Sequence, residues 1–240
     1  MDVAHSGVLE VGIPVACRSC QARHGVVCGV LSSLQLKDLG RHSLRRKVDA
    51  GGEIIAQSSE SSFYSNIMCG VVKLCKVMPD GRQQIVGLQF APDFVGRPFV
   101  RESTLSAEAA TDAEICVFPR NLLDRMISET PELQRSLHGQ ALRELDAARE
   151  WMLTLGRRTA QEKVASLLHL IATHAEPQTP TSTAFDLPLS RAEIADFLGL
   201  TIETVSRQMT KLRKRGVIRI ENNRHIVVHG MDELERMISA

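Results

Sequence analysis

The chain has 240 residues, 43% of them hydrophobic and 24% charged, enough for one large domain or two modest ones. Its 29 Lys+Arg against 28 Asp+Glu leave a formal charge of +1, which excludes a basic nucleic-acid coat or an acidic tail as a whole-chain description, so an electrostatic site must be local. Aromatic residues make up 4%, with one Trp and one Tyr, too few for a stacking platform for single strands.

No run approaches the ~18 consecutive apolar residues of a membrane span, and residues 1–7 lack a basic run followed by an apolar core, so no membrane partner and a cytoplasmic location are expected. Six cysteines are too few for a disulfide scaffold. In a reducing compartment, clustered thiols bind metal or do redox work.

In chain order, residues 1–30 hold Cys17, Cys20 and Cys28 among scattered glycines and read as a loop-rich arm. Residues 31–47 look like a short helix with Leu31, Leu34, Leu39 and several basic residues. Apolar runs at 62–68, 71–78, 83–90 and 109–118, broken by Pro79-Asp80-Gly81 and by Pro92-Asp93, predict a small antiparallel barrel or roll. Pro119 suits the first turn of a helix through Ile127, and Pro131 that of a long helix over 131–156, ended by Gly156. In it, Ala141, Leu145, Ala148, Met152 and Leu155 form a heptad seam. Such a seam serves dimerisation or packs on its own domain. Residues 159–175 predict another helix, and 176–184 a Pro/Thr-rich connector.

The densest signal lies at 188–216. Ser190 and Glu193 make a capping box, Gly199 supplies a sharp turn, and Thr201 caps a second helix that runs to about Arg215. This is the pattern of a helix-turn-helix. On the second helix Val205, Met209 and Leu212 share one face, while Glu203, Ser206, Arg207 and Thr210 share the polar one. Arg207 can grip guanine bidentately, Glu203 can accept from cytosine, and Ser206 can pair either way. Residues 201–224 carry seven Lys/Arg against two acids, so Lys211, Arg213, Lys214 and Arg219, with Thr201 and Thr210, fit phosphate contacts flanking a groove. Residues 217–220 and 225–228 would pair as a β-wing. Double-stranded DNA is the expected partner. No phosphate-binding glycine loop, HExxH run or triad order points to an enzyme.

A β-roll, a long helix and a winged helix-turn-helix, in this order, resemble the Crp–Fnr superfamily of bacterial transcription factors. Residues 186–213 match its DNA-binding signature, while Tyr64-Ser-Asn-Ile67, Gly70-Val-Val-Lys73 and residues 90–96 match its roll. The expected fold is α+β: a cysteine-rich arm (1–30), a cyclic-nucleotide-binding-like β-roll (31–130), a dimerisation helix (131–156) and a winged helix-turn-helix (157–240). Glu203-Thr-Val-Ser206-Arg207 is similar to the recognition helix of the FNR branch, which includes FixK-like and FnrN-like regulators. That implies contacts from Glu203, Ser206 and Arg207 to inverted repeats of the TTGAT-N4-ATCAA kind.

The resemblance also bears on the input. Members that hold cAMP place Glu after the roll's Phe-(Val/Ile)-Gly and Arg before a Ser/Thr; here Arg97 and Leu105 stand at those positions, so cAMP is not expected. C-x₂-C-x₇-C favours zinc or iron–sulfur. The branch supplies a fourth cysteine where Cys116 stands, which implies a [4Fe–4S] cluster on Cys17, Cys20, Cys28 and Cys116. The second spacer is longer than in the best-known FNR pattern and resembles FnrN- and FnrL-like members. The roles of Cys116 and Cys69 depend on strand register; Cys69 and Cys75 otherwise read as small hydrophobes, and His24 as a loop residue. A zinc or dithiol N-terminus, or an effector-independent FixK-like regulator, is the alternative. The resemblance further implies an oxygen-responsive homodimer that touches RNA polymerase through roll loops such as 79–84.

Overall fold

The apolar runs between residues 44 and 119 close into two antiparallel sheets that face each other across a shared core. In this computed structural model, residues 14–18, 20–175, 177–179 and 182–238 are described; residues 1–13 of the expected arm lie outside them.

One sheet has the order β1-β8-β3-β6 and the other β2-β7-β4-β5. The strands are β1 (Leu44–Val48), β2 (Glu53–Ile55), β3 (Phe63–Cys69), β4 (Val71–Val77), β5 (Gln83–Phe90), β6 (Phe94–Val95), β7 (Ser106–Ala109) and β8 (Ala113–Pro119). Ile54, Ile67, Val72, Val95 and Ile115 fill the space between the sheets. Before the roll come α1 (Val15–Arg18), 3₁₀ turns at Gln21–His24 and Cys28–Val30, and α2 (Ser33–His42). A capping box opens α2, in which Ser32 Oγ accepts from Gln35 N at 3.3 Å and Ser32 N donates to Gln35 Oε1 at 2.9 Å.

After the roll come α3 (Arg120–Glu129), α4 (Pro131–Arg157) and α5 (Ala160–Thr173). A second core joins the arm to them: Val27, Leu31, Leu36 and Leu39 pack with Leu122, Leu123, Ile127 and Leu133. The C-terminal unit holds β9 (Pro177–Thr179), β10 (Ser182–Asp186), α6 (Arg191–Leu198), α7 (Ile202–Lys214), β11 (Ile218–Glu221), β12 (His225–Val228) and α8 (Met231–Ile238). Its core does not stop at its own border, because Cys75, Ile85 and Phe90 of the roll belong to the same cluster as Leu168, Phe197 and Leu212.

Several expectations are corrected. The helix expected over 31–47 ends at His42, and Leu44–Val48 is a strand in register with β8. Its charged residues sit at a sheet edge, where unpaired backbone is protected from further pairing. The run 109–118 is two strands in different sheets, Ser106–Ala109 and Ala113–Pro119. Between them Asp112 Oδ1 accepts from Ala50 N at 2.9 Å and holds the turn. Pro119 ends β8 and caps α3 rather than lying in its first turn. The helix α4 passes Gly156 and is closed by Arg158 N donating to Thr154 O at 3.2 Å. The 176–184 connector contains β9 and the start of β10; Thr183 and Phe185, good strand formers, lie in the ladder with β12.

Candidate nucleic-acid interface and cysteine site

Local chemistry builds the helix pair. Ser190 Oγ accepts from Glu193 N at 3.2 Å and Ser190 N donates to Glu193 Oε2 at 2.8 Å, which fixes the start of α6. Gly199 closes it at φ +60, a left-handed position suited to glycine. Thr201 then caps α7, accepting from Thr204 N at 3.2 Å. Val205, Met209 and Leu212 are buried beneath α7. Glu203, Ser206 and Arg207 are exposed, and Thr210 is half-buried with its hydroxyl donating to Ser206 O at 2.9 Å.

Ser206, Arg207, Thr210, Lys211 and Lys214 line one shallow groove, so two of the expected base contacts and three of the expected phosphate contacts share a continuous surface, which Glu203, Thr201, Arg213 and Arg219 do not line. Glu203 has its carboxyl held below the ordinary range by its own backbone N–H and by the Thr201 hydroxyl. Arg207 Nη2 rests 3.4 Å from Thr204 Oγ1. Lys211, Arg213 and Lys214 occupy the last turn of α7, where cations complement the helix dipole. The wing pairs Ile218 with Val228. Asn222 and Asn223, at φ 49 and 62, open its three-residue turn over 222–224, in a left-handed region that asparagine tolerates. Exposed Arg219 pairs with Glu221 at 3.0 Å.

On α4, Ala141, Leu145, Ala148, Met152 and Leu155 are all exposed, Met152 by 74%. They do not pack on their own domain. The adjoining face is anchored instead, through buried Leu133 and through Trp151, whose ring lies 4.7 Å from that of Phe197 on α6.

The cysteine-bearing arm folds onto the roll. Cys17 N donates to Pro14 O at 2.8 Å, and Arg23 N to Cys20 O at 3.0 Å. A Cβ at Gly40 would meet Pro14 Cγ at 2.7 Å and stand 3.7 Å from Cys17 Sγ, so glycine lets α2 approach the arm. Cys116 sits in β8 with Arg45 and Asn66 as its register partners. Asn66 Nδ2 donates to Cys28 Sγ at 3.6 Å. Burial pushes the Cys28 thiol up to about 12, with Cys116, Cys17 and Cys20 adding to the effect. Burial likewise takes Cys116 to about 11, opposed by a hydrogen bond from Ser43 and helped by Cys20 and Cys17.

The four sulfurs are thus within one another's field. Among the described residues, no three His, Cys, Asp or Glu groups are spaced to hold a single metal ion. A cluster takes one thiolate per iron, a wider donor spacing than a single ion asks for. Cys69 is exposed, not packed as a small hydrophobe, whereas Cys75 is buried. His24 is exposed in its loop.

Sequence reasoning missed Asn66, and it missed Ser136, whose hydroxyl donates to Val26 O in the cysteine loop at 2.8 Å. Asn66 stands 38 positions from Cys28 and Ser136 stands 110 from Val26, so sequence spacing ties neither to the cysteine loop. The roll also encloses a cavity of about 350 Å³ lined by Tyr64, Gln89, Arg97 and Leu105, where Arg97 Nη1 donates to Thr104 Oγ1 at 2.9 Å.

A Crp-like helix-turn-helix domain profile matches residues 162–237, and a cyclic nucleotide-binding domain profile matches residues 45–130. The chain is 43% identical over 218 residues to the transcriptional activator protein FnrL of Cereibacter sphaeroides, covering 88% of this chain and 87% of that one. The chain belongs to the Crp–Fnr family of DNA-binding transcriptional activators. Within that family it is 88% identical over its full length to a protein of Rhizobium leguminosarum bv. viciae named "Probable transcriptional activator", which it covers completely. It is 38% identical over 204 residues to the nitrogen fixation regulation protein FixK of Bradyrhizobium diazoefficiens, covering 85% and 86% of the two chains. FixK2 from Bradyrhizobium japonicum superposes with a TM-score of 0.75 at 29% identity, over 82% of this chain and 98% of that one. Two Crp–Fnr hallmarks, the roll and the winged helix-turn-helix, are therefore both present.

Proposed function

We propose that this Crp–Fnr activator responds to oxygen through a [4Fe–4S] cluster held by Cys17, Cys20, Cys28 and Cys116, and binds DNA as a homodimer when oxygen is low. The observation that carries this reading is that Asn66, the register partner of Cys116, donates to Cys28 Sγ at 3.6 Å, which brings the arm's third cysteine to the strand that holds Cys116. Four thiolates crowded in a half-buried site repel one another and call for compensating cations. A [4Fe–4S] cluster bound there supplies that charge and a centre sensitive to oxidants.

The chain's own residues then relay the state of the arm. Ser136 ties the Val26 carbonyl to the first half of α4, and Cys28 and Leu137 pack against one core. An ordered arm therefore steadies α4, whose exposed Ala141, Leu145, Ala148, Met152 and Leu155 pair with a second copy. Pairing sets two recognition helices about 34 Å apart, as two-fold half-sites require. Glu203, Ser206 and Arg207 read base edges of TTGAT-N4-ATCAA-like repeats, while Thr201, Thr210, Lys211, Arg213, Lys214 and Arg219 hold phosphates. In air the arm loosens and the equilibrium moves toward the monomer. This requires the ordered arm to favour the dimer differentially.

The roll loop at 79–84 carries exposed Asp80 and Arg82, paired at 2.8 Å, and offers a surface for RNA polymerase. Arg97 and Leu105, in place of a ribose acceptor and a phosphate counter-charge, argue against cAMP as the input.

A FixK-like regulator that works without the cluster is the second reading, favoured by the superposition on FixK2. Binding of a labelled operator duplex by protein purified without oxygen, followed before and after air, separates the two. Loss of affinity in air supports the oxygen response; equal affinity supports the FixK-like reading.

A further inference from the structure

Three ties fasten α6, the first helix of the helix-turn-helix, to the sensor roll. Lys73 on β4 is 7% exposed. Its Nζ lies 2.7 Å from Glu193 Oε1 and 3.2 Å from Glu108 Oε2 on neighbouring β7. Near the other end of α6, Gln84 Nε2 donates to Asp196 O at 2.7 Å, and Ile85 N donates to Asp196 Oδ2 at 3.2 Å. Glu193 therefore uses one carboxylate oxygen to cap its own helix at Ser190 and the other to hold the roll.

The placement matters for DNA binding. All these contacts fall on α6, and none involves Glu203, Ser206 or Arg207, which stay exposed. The docked arrangement is therefore compatible with reading DNA. A charge-assisted bond between a buried lysine and a half-buried carboxylate has narrow geometry, so it fixes the angle between the helix-turn-helix and the roll. The roll is continuous with α4, the helix that carries the seam. A domain free to swivel would lose the alignment of two recognition helices with two half-sites, and would recover it only at an entropic cost.

We propose that Lys73 is a positioning residue for DNA recognition: through Glu193 it sets the orientation of the helix-turn-helix on the sensor roll, and so the half-site spacing the dimer accepts. This rests on the family's DNA binding and on pairing along α4, and is independent of what the cysteines hold.

The test uses full-length protein prepared without oxygen and the inverted-repeat duplex that the wild type selects from random sequence. Affinity is measured for that duplex and for versions with one base pair added or removed between half-sites. Lys73→Met should weaken binding to the selected duplex about tenfold and flatten the preference among spacings, with Lys73→Arg restoring both. A merely stabilising Lys73 would lower the melting temperature and leave the spacing preference unchanged, which would overturn the proposal. Gln84→Ala, at a half-exposed position, removes a tie without burying a new charge. It should flatten the same preference in milder form, and retention of the wild-type preference in both variants would overturn the proposal too. If the wild type binds no duplex as a dimer, the reading on which this proposal rests fails instead.

Discussion

The Ser136 hydroxyl donates to the Val26 carbonyl at 2.8 Å, and this hydrogen bond joins the cysteine loop to the long helix α4. The two residues are 110 positions apart. Ser136→Ala should leave metal content intact and weaken the anaerobic dimer about fivefold, the equivalent of ~1 kcal/mol for one hydrogen bond. Sedimentation equilibrium without oxygen reads this directly; a dimer constant equal to the wild type's would remove Ser136 from the relay.

Met152 is 74% exposed on the seam. Met152→Glu should give a folded monomer that no longer binds the inverted repeat, since like charges would face each other across the two-fold. Light scattering gives the mass and far-ultraviolet circular dichroism the fold. A Met152→Glu dimer of wild-type stability would place the interface elsewhere.

Arg207 is exposed in the middle of the reading face. Arg207→Ala should cost about 1–3 kcal/mol at the specific site and relax base choice at one position of each half-site. Binding to a panel of single-base variants distinguishes this from a phosphate contact, which would lose affinity uniformly.

Much of the DNA-binding unit was legible because its signals are local. Ser190 and Glu193 stand three residues apart, Gly199 marks the turn, and Val205, Met209 and Leu212 repeat on one face. The strand order was not legible. Residues 109–118 read as one apolar run because nothing in the run shows that Asp112 would reach Ala50, 62 positions away. For the same reason Lys73 looked like part of a strand and Glu193 like a cap, although they meet at 2.7 Å across 120 positions. The cysteine site was half legible: spacing marked Cys17, Cys20 and Cys28, whereas the place of Cys116 beside Asn66 depends on the β3–β8 register.

The two candidates for a fourth ligand have opposite surroundings. Cys116 lies in the field of the other three thiols, while Cys69 is exposed at the end of β3. Cys116→Ser should abolish the anaerobic visible absorbance of the protein, and Cys69→Ser should leave it unchanged. The reverse pattern would exchange their roles.

Iron and acid-labile sulfide analysis of protein purified without oxygen tests the central claim most directly. The four-cysteine site predicts a coloured protein with about four iron and four sulfide per chain, bleaching in air. A colourless protein with stoichiometric zinc, or with no metal at all, would contradict it and leave a DNA-binding activator governed by some other input.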